Sequence, residues 1–342
     1  MNRLTSKWYA QLVRPLLFQM DPERAHHLAM RLLRAAPLIP GELALLRSFA
    51  PPPQPRTLFG LQFRNPFGLA AGFDKNAVAI PAWEALGFGF VEVGTVTAKP
   101  QPGNPGPRIF RYPKEEALIN RLGFNNEGAD VIGERLRRLR ASHSAPSIPI
   151  GVNLGKSKVT SLEEAPADYL YSFRLLAPLA DYVVLNVSSP NTPGLRNLQE
   201  REALIALSRV ITEENLTRPS PKPLLLKIAP DLSEEALGEI VEVCEEFGFA
   251  GLIATNTTLD HHALAGSDET GGLSGRPLRA RSTEVIRFLR DRTRLPLIGV
   301  GGIADAAAAR EKFAAGAELL QIYTGYIFHG PNLLREMSAA LS

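Results

Sequence analysis

Only one cysteine, Cys244, occurs in the 342 residues. That excludes an intramolecular disulfide framework and a cysteine-based zinc site, and it accords with a reducing compartment. Long apolar runs are also missing. No uncharged stretch reaches the roughly 18 residues a spanning helix needs, and no signal peptide with a small-residue cleavage site opens the chain. An excess of one charge sign is nearly absent too: 38 Lys and Arg stand against 35 Asp and Glu, a net charge of +3. With 45% hydrophobic and 21% charged residues, the composition excludes a disordered or fibrous protein. The length allows one large domain or two ordinary ones, with a sizeable core.

The small positive charge is unevenly placed. Residues 1–56 carry eight Arg or Lys against three acidic residues, a net +5, which leaves −2 for the remainder. A basic head on a faintly acidic body argues against a nucleic-acid groove in the main domain. In Asn2–Phe18 the apolar residues Leu4, Trp8, Leu12 and Leu16 recur at helical spacing, and Asp21-Pro22-Glu23 reads as an N-cap with proline at the first helical position. Gly41–Phe49 is a third short helical candidate. Pro51-Pro52-Pro53-Gln54-Pro55 then forms a stiff spacer, which sets the expected units at 1–55 and 56–342. The head reads equally as an extension packed on the main domain or as a monotopic foot on a membrane, its apolar faces fringed by cations suited to anionic headgroups.

From Phe67 onward, apolar runs alternate with amphipathic stretches, which implies a parallel sheet. The strands are expected at Gly68–Ala71, Phe90–Val93, Ile148–Val152, Tyr182–Asn186, Leu224–Ile228, Gly251–Ala254, Leu297–Val300 and Leu319–Ile322. Helical patterns follow at Ala77–Leu86, Gly128–Arg140, Ala165–Leu179, Arg201–Glu214, Ser233–Phe247, Arg279–Asp291, Ala306–Ala315 and Asn332–Leu341. Eight such units predict a (β/α)8 TIM barrel, an α/β fold, preceded by the small helical head. Two long insertions, Thr95–Asn126 and Asn256–Pro277, follow the second and sixth strands, where barrels build their active face.

Polar residues cluster at the C-terminal ends of these strands. The first ends in Ala70-Ala71-Gly72-Phe73-Asp74-Lys75-Asn76, the second in Gly94-Thr95, the third in Asn153 and the fourth in Asn186-Val187-Ser188-Ser189-Pro190-Asn191. The fifth ends at Lys227, the sixth in Thr255-Asn256-Thr257, the seventh in Gly299-Val300-Gly301-Gly302 and the eighth in Tyr323-Thr324-Gly325. Glycines in the loops after the seventh and eighth strands are the usual barrel site for a phosphate, so a phosphorylated ligand is favoured. Asn120, Asn153, Asn186 and Asn256 suggest a planar ligand carrying both donors and acceptors. A Schiff base on Lys75 or Lys227 lacks a paired carboxylate or histidine at a strand end to move protons. The pairs His26-His27 and His261-His262 do not have metal-ligand spacing, and no metal site is expected.

Several runs together resemble one family. They are Asn186-Val187-Ser188-Ser189-Pro190-Asn191-Thr192-Pro193-Gly194-Leu195-Arg196, Lys227-Ile228-Ala229-Pro230-Asp231-Leu232, Ile253-Ala254-Thr255-Asn256-Thr257-Thr258, Gly271-Gly272-Leu273-Ser274-Gly275 and Gly299-Val300-Gly301-Gly302-Ile303. These are similar to dihydroorotate dehydrogenase of class 2, the quinone-dependent, membrane-associated form. The likeness covers the whole chain, including Phe18-Gln19-Met20-Asp21-Pro22-Glu23-Arg24-Ala25-His26, which looks like that class's quinone-site helices.

The resemblance implies oxidation of dihydroorotate to orotate in pyrimidine (UMP) biosynthesis, with FMN as hydride acceptor and a membrane quinone as final acceptor. It places the FMN phosphate on Gly275, Gly301, Gly302, Tyr323 and Thr324. Ala71, Gly72, Phe73, Asp74, Lys75, Thr95, Asn153, Asn186 and Thr255 would surround the rest of the cofactor, with Lys227 near its pyrimidine ring. Dihydroorotate would be held by Lys75, Asn120, Arg121, Leu122, Gly123, Phe124, Asn186, Asn191, Asn256 and Thr257. Ser189 is implied as the base, where class 1 enzymes use cysteine. His26, Arg111 and Tyr323 match positions lining the family's quinone site. Thr324 stands where serine is common and keeps the hydroxyl. Peripheral attachment through residues 1–55 to the cytoplasmic face of a bacterial inner membrane is the expected location. The competing readings are an FMN barrel with a soluble acceptor, and a non-catalytic barrel that binds a phosphorylated ligand.

Overall fold

The computed structural model describes residues 8–143, 145–264 and 267–341. Eight parallel strands close into a barrel in chain order: β1 Phe67–Leu69, β2 Phe90–Val96, β3 Ile150–Leu154, β4 Tyr182–Asn186, β5 Leu224–Ile228, β6 Gly251–Ala254, β7 Leu297–Val300 and β8 Leu319–Ile322. Every residue of these strands is buried, because helices cover the outside and side chains fill the inside. Such strands therefore read as continuous apolar runs, and five of the eight expected spans match to the residue. The expected third strand, Ile148–Val152, is displaced by two residues, since Pro149 lacks the N–H that ladder pairing needs.

The barrel has one closed end and one open end. Below it, a hairpin of Arg56–Leu58 and Leu61–Phe63, not anticipated from the sequence, drives Phe63 into an inner cluster with Phe90, Tyr182, Leu225, Ile253 and Ile298. The Phe63 and Phe90 rings meet edge to face at 5.2 Å. At the other end the two long insertions meet. In the first, Ile109–Tyr112 and Ala117–Asn120 pair antiparallel as a hairpin, and Ala117–Asn120 pairs antiparallel on its other edge with Gly272–Gly275 of the second, forming one three-stranded sheet over the strand ends.

The head docks beside this roof. Residues 2–7 of its expected first helix lie outside the described residues; Tyr9–Val13 is a π-helical turn that runs into the helix Arg14–Gln19. The second helix, Pro22–Ala35, starts as expected, with the Asp21 carboxylate accepting from the N–H groups of Glu23 (3.1 Å) and Arg24 (2.9 Å). A short helix at Glu42–Arg47 completes it. Tyr9 Oη donates to Ile327 O at 2.7 Å, and Phe18 packs edge-on against Phe328 at 5.3 Å, so the head leans on the segment that follows β8.

Candidate active site

A cavity opens between the strand ends and the roof sheet. One end is lined by Gly275, Gly301, Gly302 and Thr324, the other by Asn120, Asn186, Ser189, Asn191, Asn256 and Thr257. Ala71, Gly72, Lys75, Thr95, Lys227, Thr255 and Tyr323 lie between, and Leu122, Gly123 and Phe124 form part of the wall. The glycine end is backbone by necessity. Gly275, Gly301 and Gly302 adopt φ of 98°, 112° and 70°, and a Cβ on Gly302 would lie 2.4 Å from the Cα of Arg279. Beside them the hydroxyls of Ser274 and Thr324 share a 2.8 Å hydrogen bond, and the helix Thr324–His329 begins there without a side-chain cap. This end presents donors and small side chains, the chemistry an anionic group requires.

The floor is a continuous hydrogen-bonded array that runs back to one buried anion. Glu92, in the middle of β2 and fully buried, accepts from Asn153 Nδ2 at 2.8 Å and from Gln321 Nε2. Its Oε1 also lies 3.6 Å from Lys227 Nζ. A carboxylate only accepts, so Asn153 must turn its amide nitrogen to Glu92 and its oxygen to Thr95 (2.6 Å) and Asn186 Nδ2 (3.1 Å). Asn186 in turn accepts from Ser188 Oγ at 2.9 Å and from Asn256 Nδ2 at 3.3 Å. One charge thereby fixes the polarity of amides on β3, β4 and β8 and of Asn256 just past β6. Burial, with Glu92 behind it, pushes the Tyr182 phenol well above 10. Sequence reading missed Glu92 and Gln321 because it looked for polar residues at strand ends, whereas β2 runs on to Val96 and leaves Glu92 mid-strand. The available signal was a glutamate inside an apolar strand.

Not all expected residues face the cavity. The Asp74 carboxylate turns away and accepts from Val78 N and Ala79 N, both at 2.8 Å, and from Trp83 Nε1 at 3.3 Å, so its acid is consumed in ordering the turn into the helix Ile80–Ala85. Phe73 stands behind the wall, 5.0 Å from the Tyr323 ring and 5.4 Å from His26. Asn153 sits beneath the lining. Arg121 points outward, stacking on Phe110 at 4.5 Å and pairing with Glu269 at 2.6 Å. Ser189 is buried, and its Oγ accepts from Asn191 N at 3.3 Å. No carboxylate or imidazole bonds to it among the described residues.

A second cavity lies under the head, lined by Glu23, His26, His27, Met30, Phe73, Val78 and Ile109 with Lys75, Leu122 and Tyr323. The last three also line the first cavity and so form a shared wall. Burial lowers Lys75 to about 8, with Arg108 adding to the effect and Glu23 opposing it. Burial also lowers His26 to about 3, with help from Lys75, so its imidazole is neutral. Arg111 does not line this cavity. Its guanidinium donates to Leu17 O at 3.0 Å and to Met20 O and lies 4.6 Å above the Phe18 ring, where a cation complements the end of a head helix.

An eight-stranded parallel barrel with a polar cavity at its C-terminal face, glycine-lined at one end and amide-lined at the other, defines a barrel enzyme for a ligand with an anionic terminus. The family model for dihydroorotate dehydrogenase matches residues 55–342, and the chain belongs to that family of oxidoreductases. A dihydroorotate dehydrogenase (quinone) of Gloeobacter violaceus is 53% identical over 337 residues, covering 97% of this chain and 93% of the relative. One from Chloroflexus aurantiacus is 50% identical over 359 residues, covering 100% of this chain and 98% of its own. The ligand-free DHODH of Eimeria tenella superposes with a TM-score of 0.85 at 39% identity, covering 94% of each chain.

Proposed function

We propose that this protein oxidises dihydroorotate to orotate, using FMN as the hydride acceptor and a membrane quinone as the final electron acceptor. The observation that carries the reading is the pair of cavities separated by one wall, Lys75, Leu122 and Tyr323: one joins a phosphate cradle to an amide array, the other lies under the head. The residues present suit FMN. Gly275, Gly301, Gly302 and Thr324 would hold its phosphate, Thr95 and Asn186 its polar middle, and Lys227 the pyrimidine edge, where a cation favours the reduced form. When bound, FMN supplies a two-electron acceptor that passes its electrons on.

The chain's own residues do the rest. Lys75 binds the substrate carboxylate, and Asn120, Asn191, Asn256 and Thr257 hold the ring edges by their amides and hydroxyl, which fixes the reacting carbon against Ser189. Ser189 Oγ takes the proton. A serine hydroxyl is a weak base, so it depends on a dry site and a path onward for the proton. The hydroxyl of Thr192, buried without a partner among the described residues and three positions along the same loop, is placed to extend that path. Residues 1–55 form the docking unit. Leu12 (65% exposed), Leu16, Leu32, Leu38 and Leu45 face solvent near the exposed Arg31, Arg34 and Arg47, as an interfacial helix unit requires. This arrangement supports the membrane foot over a merely packed extension, and with it the proposed peripheral location on the cytoplasmic face of a bacterial inner membrane.

The test is anaerobic addition of dihydroorotate to the purified protein. A bound yellow chromophore should bleach and then recover its colour when quinone-loaded vesicles are added. A colourless protein, or a flavin that dihydroorotate leaves oxidised, overturns the reading.

A further inference from the structure

Under this reading the head serves the acceptor, and nothing requires it to touch the substrate end. One side chain on it does reach that way. Glu23, in the first turn of the helix Pro22–Ala35, meets Arg108 in the insertion after β2: Arg108 Nε lies 2.9 and 3.0 Å from the two carboxylate oxygens, and Nη2 2.6 Å from Oε1. The side chains are only 20% and 14% exposed, and among the described residues no other carboxylate lies within ion-pair distance of Arg108. The remaining nitrogen, Nη1, donates to Pro102 O at 2.7 Å and Asn104 O at 2.9 Å. Asn104 carries the contact onward, its Nδ2 donating to Arg121 O at 3.0 Å and to Asn191 O at 3.2 Å.

Asn191 is where this chain of contacts enters the site. Its N–H reaches Ser189 Oγ, and its Nδ2 donates to Asn120 Oδ1 at 3.1 Å. The intervening segment, Pro102-Gly103-Asn104-Pro105-Gly106-Pro107, has no regular secondary structure, so its shape rests on such anchors. Around Gly103 and Asn104 it is also closely packed. A Cβ on Gly103 would lie 2.3 Å from Leu122 O and 2.7 Å from Arg108 Nη1, and one on Gly123 would lie 2.7 Å from Asn104 Cγ. A bidentate, charge-assisted contact at one end is the strongest kind available to hold such a loop.

We propose that Glu23 is a positioning residue for the substrate end: acting through Arg108 and Asn104, it holds the Asn191 loop against Ser189, so that the head sets the geometry of dihydroorotate oxidation as well as serving the acceptor. The inference rests on the function proposed above. Its test separates the half-reactions in the flavin-loaded protein. Glu23→Gln should weaken orotate binding, read from the flavin absorbance change on titration, by about tenfold, and should slow anaerobic bleaching by dihydroorotate. Glu23 also borders the cavity under the head, so reoxidation of the dithionite-reduced variant by a short-chain quinone should slow too, but several-fold less than bleaching does. Arg108→Gln should act alike, and the double variant should be no worse than Arg108→Gln alone, because the two act as one unit. Unchanged orotate affinity and bleaching in Glu23→Gln, or an equal slowing of both half-reactions, overturns the proposal. If dihydroorotate does not bleach the wild-type protein, it is the underlying function that fails.

Discussion

Lys75 must carry a charge to hold a carboxylate, yet its surroundings favour the neutral amine. Burial and Arg108 lower it to about 8, while Glu23 restores part of the difference. A group lowered from 10.5 to about 8 is charged below that pH and loses its proton above it. With kcat/KM reporting the free enzyme, the value for dihydroorotate should be flat from pH 6 to 7.5 and fall about tenfold per pH unit above about 8. A pH series with Lys75→Gln as the control, low and flat throughout, checks this. Glu92 makes a different demand. Removing one partner of a buried pair leaves the other uncompensated, so Glu92→Gln should lower the unfolding free energy by about 3–5 kcal/mol in urea titrations. Glu92→Gln with Lys227→Met should recover part of that loss, and equal instability of the single and double variants would show that the pair carries no such coupling.

Elements were legible in the sequence where they obey one period. The strands from β4 onward read as bounded apolar runs, and helices such as Gly128–Arg140 and Asn332–Leu341 carry clear stripes with polar flanks. The roof sheet was not legible. Its strands are four residues each, and Leu118 finds its partner Ser274 more than 150 residues away, a pairing that no local pattern encodes. The hairpin beneath the barrel was missed for a related reason: its turn, Phe59-Gly60, follows the proline spacer and reads as linker. Strand-end glycines and amides were visible because loops after parallel strands converge by geometry, whereas the Glu23–Arg108 contact joins two segments whose meeting no motif announces. The glycine loops yield an element-scale prediction. Gly302→Ala places a Cβ into the Arg279 backbone at positive φ, which should cut FMN affinity by tenfold or more. Titration of apoprotein by flavin fluorescence quenching checks it, with circular dichroism unchanged.

The whole molecule has a polarity that neither cavity shows alone. Apolar side chains of the head stand on the outside while the catalytic face stays covered by the roof. Replacing Leu12 and Leu16 together by Gln should therefore reduce co-sedimentation with anionic vesicles several-fold. Bleaching by dihydroorotate should be unchanged, because neither side chain lines a cavity. Raising the salt should weaken vesicle binding of the wild type partly, not wholly, since apolar burial is not screened.

The roof sheet also dictates an order of events in synthesis. Residues 109–112 and 117–120 can pair with each other early, but the roof is complete only once residues 272–275 exist, and the glycine loops after β7 and β8 come later still. A nascent chain therefore emerges with the hairpin of its first insertion unanchored and its first strands edge-exposed for most of its length. The pocket is among the last parts of the molecule to exist, and any chain released before its final fifth lacks both the roof's anchor and the cradle beneath it.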